Sequence, residues 1–277
     1  MSLHCTRRWL IVLALALSSH LASAQSHYRV LHGFSGTKED GGGLQGSVAL
    51  DTQGSVYGTT YAGGRHGQGT VFELRPSPSG WSETLLYSFD GTDGGIPEAG
   101  PIVDGVGNVY GTTTRGGINR AGIVFQLSPS QGNWTETTLY NFCSKPYCVD
   151  GVSTLGSLMM DKAGRLYDTS TVIFELFPQP DGDWLESVLH TFAGLNGDAL
   201  ESIAGVIEDQ NGNLYGTADD GGTGNCVGGC GIVYELRPAP DGPNGVWQER
   251  ILHSFGVTPN DGQLPAFGSQ LRNRRRR

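Results

Sequence analysis

The sequence predicts an all-β, β-propeller-like fold of four four-stranded blades and an incomplete fifth. Three observations predict it. The phrase "GSVYGTTYAGG" (54–64) returns as "GNVYGTTTRGG" (107–117) and as "GNLYGTADDGG" (212–222). A Trp string lines up four times without gaps: "WSETLLYSF" (81–89), "WTETTLYNF" (134–142), "WLESVLHTF" (184–192) and "WQERILHSF" (247–255). The closing residues Phe34, Phe89, Phe142, Phe192 and Phe255 are spaced by 55, 53, 50 and 63. A period of this size marks a repeat architecture.

The chain opens with Arg7 and Arg8, an apolar run from Trp9 to Leu17, and the small residues Ala22-Ser23-Ala24. A basic start, an apolar core and an A-x-A site read as a secretory signal over 1–24. The run is too short to span a bilayer, which takes about 20 residues. No later stretch is apolar enough to span one. The repeat domain is expected over 25–271, with repeats about 35–89, 90–142, 143–192 and 193–255, a partial copy over 256–271, and an Arg-rich tail over 272–277.

Each repeat holds four apolar segments. The first ends at Asp51, Asp104, Asp161 or Asp209. A D-x-x-G turn follows, in which Gly and Asn tolerate positive φ. The second segment carries Tyr57, Tyr110, Tyr167 or Tyr215. The third is "TVFELRP", "IVFQLSP", "VIFELFP" or "IVYELRP". The fourth is the Trp string, whose alternation puts Trp81, Glu83, Leu85, Tyr87 and Phe89 on one face and Ser82, Thr84, Leu86 and Ser88 on the other. Short segments rich in β-branched and aromatic residues, bounded by Gly, Asp and Pro, are strands. "YRVLHGF" (28–34) reads as a lone fourth-type strand, and a first-type strand is expected near 264–271. Four antiparallel strands repeated about an axis form propeller blades.

Charge and cysteines narrow the partners. Two of the 18 Lys and Arg lie in the leader and five in "RNRRRR", so 11 basic residues face 27 acidic ones in the body, a balance of −16. Such a body repels nucleic acid. Cys143, Cys148, Cys226 and Cys230 remain after the leader. In an exported chain they predict the local disulfides Cys143–Cys148 and Cys226–Cys230. A tetrahedral zinc site on four cysteines is the rival.

The combination Y-G-T-T-x-x-G-G, V-F-E-L-x-P, W-T-E-T-x-L-Y-x-F and D-G resembles the GloVer tandem repeat of exported bacterial "choice-of-anchor" proteins. The resemblance covers residues 28 to about 268. It implies export and a propeller-like fold, and it implies no activity and no catalytic residues. The chain departs from the pattern in three places. The third repeat has seven residues from Tyr167 to Phe174, where the second has 15 from Tyr110 to Phe125. The fourth has 19 from Tyr215 to Tyr234 and holds Cys226 and Cys230. The fifth copy stops at the Arg tail, with no apolar helix before it. That ending reads as a truncated gene, with a basic tail binding an acidic polymer as its rival. An open ring leaves strand edges that invite self-association.

No catalytic motif stands out. His32, His190 and His253 share a repeat slot with Tyr87 and Tyr140 and read as packing residues; His27 and His66 read as solvated. Glu73, Glu175 and Glu235, with Gln126 in the same place, and Glu83, Glu136, Glu186 and Glu249 read as strand-surface or hydrogen-bonding groups. A catalytic carboxylate pair needs two different environments, and a repeat supplies one environment many times. No calcium loop, metal site or cofactor motif is found. The loops entering each blade and the loops between second and third strands are rich in Gly and Asp. They make Asp93, Asp150, Asp198, Asp219, Asp220 and Asp261 the candidate ligand-binding residues, with tight-turn formation as the plainer role. The expected function is an exported, non-catalytic repeat scaffold, secreted or periplasmic, that binds a glycan or cell-surface polymer. The alternative is a polysaccharide lyase or hydrolase using loop carboxylates.

Overall fold

The computed structural model describes residues 28–194, 197–238 and 247–265. The expected leader, the Arg-rich tail and most of the expected terminal strand lie outside the described residues. Four four-stranded antiparallel sheets follow one another, each with its strands in chain order. Blade one is built from Ala49–Leu50, Val56–Thr60, Thr70–Ser77 and Gly80–Ser88. Blade two is Ile102–Val103, Val109–Thr112, Ile123–Ser130 and Asn133–Asn141. Blade three is Met159–Met160, Leu166–Thr169, Val172–Pro178 and Trp184–Thr191. Blade four is Ile207–Glu208, Leu214–Ala218, Ile232–Arg237 and Gln248–Ser254. The fold is all-β and propeller-like. No described helix is long and apolar enough to cross a membrane.

The D-x-x-G turn forms in every blade. Asp104 Oδ1 accepts the N–H groups of Val106 and Asn108, and the Asp104 N–H donates to Asn108 C=O. Asp51, Asp161 and Asp209 do the same. Gly107 sits at φ +94° and Gly212 at φ +81°, where a Cβ would be strained. The repeated phrase is therefore a turn and a strand. Its next glycine answers a different need. A Cβ on Gly58 would lie 2.4 Å from the Phe72 ring, and one on Gly111 2.5 Å from the Phe125 ring.

The core lies between blades. Each closing Phe packs on an aromatic residue of the next third strand: Phe34 on Phe72, Phe89 on Phe125, Phe142 on Phe174 and Phe192 on Tyr234, at centroid distances of 4.7–5.7 Å. The closing Phe N–H is held in its own blade, as in Phe89 to Gly69 C=O and Phe142 to Gly122 C=O. Apolar clusters join blade one to two, two to three and three to four. A fourth cluster seals the free face of blade one with Phe34 and Trp81. Among the described residues, no cluster joins blade four to blade one.

Two expectations need correction. The strict alternation of the Trp string is broken by a bulge: Val71 pairs with Tyr87 and Phe72 with Leu85, so Leu86 is extra. A bulge sets two residues against one and turns the extra side chain. Leu86, expected on the face opposite Phe89, is 7% exposed and packs with Phe89 against blade two. The same bulge recurs in the other blades. The segment 28–34 forms no ladder strand, although Phe34 takes the packing place expected of it. Blade three's shortened loop is a two-residue connection, Ser170-Thr171, between its middle strands. Both disulfides pair as expected, Cys143 with Cys148 and Cys226 with Cys230.

Candidate functional site at the blade junctions

The repeat brings chemistry-bearing side chains together at each junction. The slot two residues before the closing Phe holds His32, Tyr87, Tyr140, His190 or His253, each edge-on to that Phe. Its polar end meets an Asp of the following loop. Tyr87 Oη donates to Asp93 at 2.5 Å and Tyr140 Oη to Asp150 at 2.8 Å. His32 lies 3.5 Å from Asp40, His190 3.5 Å from Asp198 and His253 3.3 Å from Asp261. The Glu of the next blade's Trp string completes the group. Glu83 joins His32 and Asp40, and Glu249 joins His190 and Asp198. Lys145 pairs with Glu186 at the junction of blades two and three.

These acids lie at the strand faces where blades meet, so water solvates them poorly. Burial, opposed by the Thr138 hydroxyl and aided by the charge of Asp93, pushes Glu136 up to about 7. Burial and the charge of Asp198 push Glu249 up to about 7. Burial also raises Glu83, with Asp40 adding to the rise and His32 opposing it.

The second set of repeated carboxylates serves the sheets. Tyr57 Oη donates to Glu73 at 3.0 Å, Tyr167 Oη to Glu175 at 2.9 Å and Tyr215 Oη to Glu235 at 2.9 Å. In blade two the pair is reversed, with Gln126 Nε2 donating to Tyr110 Oη at 3.1 Å. Arg75, Arg165 and Arg237 cover the three glutamates. A carboxylate so fully engaged is a structural group.

Of the candidate loop acids, Asp93, Asp150 and Asp198 stand at the three junctions between blades, one each, and Asp261 takes the same place after blade four. Asp150 is fully buried and also accepts the Ser144 N–H and hydroxyl. Asp93 also accepts the Asp90 N–H at 2.9 Å. Asp220 accepts the Leu200 N–H at 3.1 Å, which brings it to the corner of the loop holding Asp198. Asp219 is its chain neighbour, partly exposed. The six acids do not converge on one point.

Two features escaped the sequence reading. One is a hollow of 560 Å³ framed by the inner segments of all four blades. Its wall is mainly apolar, with Ile102, Leu158, Met160 and Val206 among its residues, and Glu98 is its one ionisable side chain among those described. Backbones touch around it: a Cβ on Gly46 would lie 2.1 Å from the Gly100 nitrogen, and one on Gly205 2.2 Å from the Ser157 oxygen. The other is Asp168. It stands where the other blades have Gly58, Gly111 and Gly216. Oδ1 accepts the Thr169 N–H at 2.8 Å, and buried Oδ2 has no partner. Burial, only partly offset by that hydrogen bond, pushes its pKa up to about 8. The visible signal was "LYDT" in place of "YGT".

A family model described as the Gloeobacter/Verrucomicrobia repeat matches residues 18–173, more than half of the chain. The chain belongs to that family. The match runs through two full repeats and into the third strand of blade three, and the ladder registers of blade four continue the same pattern. No curated protein matches the chain.

Proposed function

We propose that this repeat protein is an exported, non-catalytic scaffold that binds a glycan or cell-surface polymer on the face where the entering loops meet the central hollow. The observation that carries the proposal is the composition of that hollow. Gln45, Glu98, Leu155 and Ile203, at the ends of four entering loops, lead into an apolar wall with one carboxylate. Acid–base hydrolysis of a glycosidic bond takes two carboxyls across one substrate. Here Glu73, Glu175 and Glu235 are engaged by tyrosines and arginines within the sheets, and Glu83, Glu136, Glu186 and Glu249 lie one to a blade, on four separate strands. Export is supported by two disulfides in a small all-β chain and by the leader-like start of the sequence. Self-association belongs to the same proposal, because the outer side of blade four has no following blade among the described residues.

A glycan array probed with the purified chain, paired with a reducing-sugar release screen, tests it. Binding without sugar release is expected, with Glu98→Gln and Leu155→Ser each weakening binding by a modest factor. Sugar release abolished by one carboxylate substitution would overturn the scaffold reading in favour of a carbohydrate-active enzyme. No binding to any glycan would remove the ligand class.

A further inference from the structure

We infer that two of the blade junctions are divalent transition-metal sites: His32–Asp40–Glu83 before blade one, and His190–Asp198–Glu249 between blades three and four. This inference is independent of the proposed polymer binding. In each triad, one ligand atom from every residue lies within 4.8 Å of the others. Metal–ligand bonds of about 2.0–2.2 Å would draw such atoms to about 3.0–3.5 Å apart, and each His–Asp pair already stands at 3.5 Å. The three residues come from three elements. His190 is on the last strand of blade three, Asp198 on the loop into blade four, and Glu249 on the last strand of blade four.

Hydrogen bonding shows what the triads lack. His32 Nε2 and Glu83 Oε1 are buried with no partner at the first site. His190 Nε2, Asp198 Oδ1 and Glu249 Oε1 are buried with no partner at the second. Buried polar atoms are nearly always paired, yet Glu83 Oε1 and Glu249 Oε1 have no partner, and each His Nε2 meets only its Asp at 3.5 Å, longer than a normal hydrogen bond. Asp198 is anchored by Oδ2, which accepts the Ala193 N–H at 2.8 Å, while its Oδ1 faces His190.

The sibling junctions supply the comparison. Where the slot is Tyr, its hydroxyl donates to the Asp. At one Tyr junction the Lys145 ammonium sits on Glu186, the counterpart of Glu83 and Glu249. The repeat therefore places a cation of its own in one copy of this station. The His copies replace the hydroxyl with a metal-ligating nitrogen and, among the described residues, have no such ammonium. An imidazole beside two carboxylates suits a first-row divalent ion such as Zn²⁺ better than Ca²⁺, which takes oxygen ligands. In the ligating form, with both carboxyls ionised and the imidazole neutral, each triad carries a charge of −2, which the ion would neutralise. The bound ion would tie neighbouring elements together, as a structural clamp.

The test is calorimetric titration of the chelator-treated, purified chain with Zn²⁺, with Ca²⁺ as the comparison ion, beside thermal unfolding. Two Zn²⁺ per chain and a raised Tm are expected. His32→Tyr and His190→Tyr should each remove one equivalent, and the double variant should lose both and the rise in Tm. Tyr is the residue at the sibling junctions, so these variants keep the packing of the slot. If the double variant does not fold, Glu83→Gln with Glu249→Gln gives the same readout. His66 and His253 are retained throughout. Absence of Zn²⁺ binding, unchanged stoichiometry in both double variants, or uptake of Ca²⁺ but not Zn²⁺ would overturn the assignment.

Discussion

At the scale of single residues, Asp168 is the clearest departure from the repeat. Its carboxyl lies against Gly156, where a Cβ would be 2.3 Å from Oδ1. Burial holds its pKa at about 8, above the ordinary carboxylate value of 3.8. A folded chain therefore keeps a proton that the unfolded chain releases between these values. Stability must fall as pH rises through that window, and level off above it. Asp168→Asn removes the titrating proton. The variant should match the wild type near pH 4 and become the more stable of the two as pH rises to 8. The gap should widen by at most about 1.4 kcal/mol per pH unit. Urea unfolding of both chains at pH 4, 6 and 8 checks it; a gap that does not change would show that folded Asp168 ionises freely. This residue was visible in the sequence as an odd letter in a repeated phrase. Its burial was not, because it depends on Gly156 folding over it.

At the scale of elements, the bulge in each fourth strand decides which leucine enters the core. Leu86, Leu139 and Leu189 are the extra residues of blades one to three, and each is 7–8% exposed in the cluster shared with the next blade. Leu252 holds the same place in blade four and is 42% exposed. Leu139→Ala should cost about 2–5 kcal/mol, the range for truncating a buried leucine. Leu252→Ala should cost well under 1 kcal/mol, as surface changes do. Denaturant midpoints of the two variants test the contrast, and equal losses would show that Leu252 is covered in solution. The strands themselves were legible, because turn chemistry such as Asp104 capping Val106 and Asn108 is local. The bulge was not, because "ETLLYSF" reads as continuous alternation and only pairing with Val71 and Phe72 reveals the extra residue. The His–Asp–Glu stations were hidden for a related reason. His190 and Glu249 belong to different repeats, and each looked like a slot-filling residue in its own strand.

At the scale of the whole molecule, stability is passed from blade to blade. Each closing Phe is half of an interface whose other half is the next third strand, so blades two and three are clamped on both sides. Blade one is sealed by Phe34. At the far end, Phe255 has His253 as its edge-on partner, and the chain after it returns to blade four, where Leu264 N–H donates to Cys230 C=O at 2.8 Å. The same bond joins Ile96 to Gln68 and Ser153 to Ala121 at the inner junctions. There, however, a further blade stands behind it. In a repeat array whose units contact only neighbours, stability follows the number of interfaces each unit makes. Local opening should therefore be easiest at the last strand of blade four, Gln248–Ser254, where Leu252 is uncovered. Hydrogen exchange followed by mass spectrometry should show the strongest protection in Val109–Thr112, Ile123–Ser130 and Val172–Pro178, and the weakest ladder protection in Gln248–Ser254. If that last strand exchanges as slowly as its counterpart Asn133–Asn141, its outer side is covered in solution. A mass that grows with concentration in sedimentation would then assign the cover to a second copy of the chain, and a constant monomer mass would assign it to the chain's own fold.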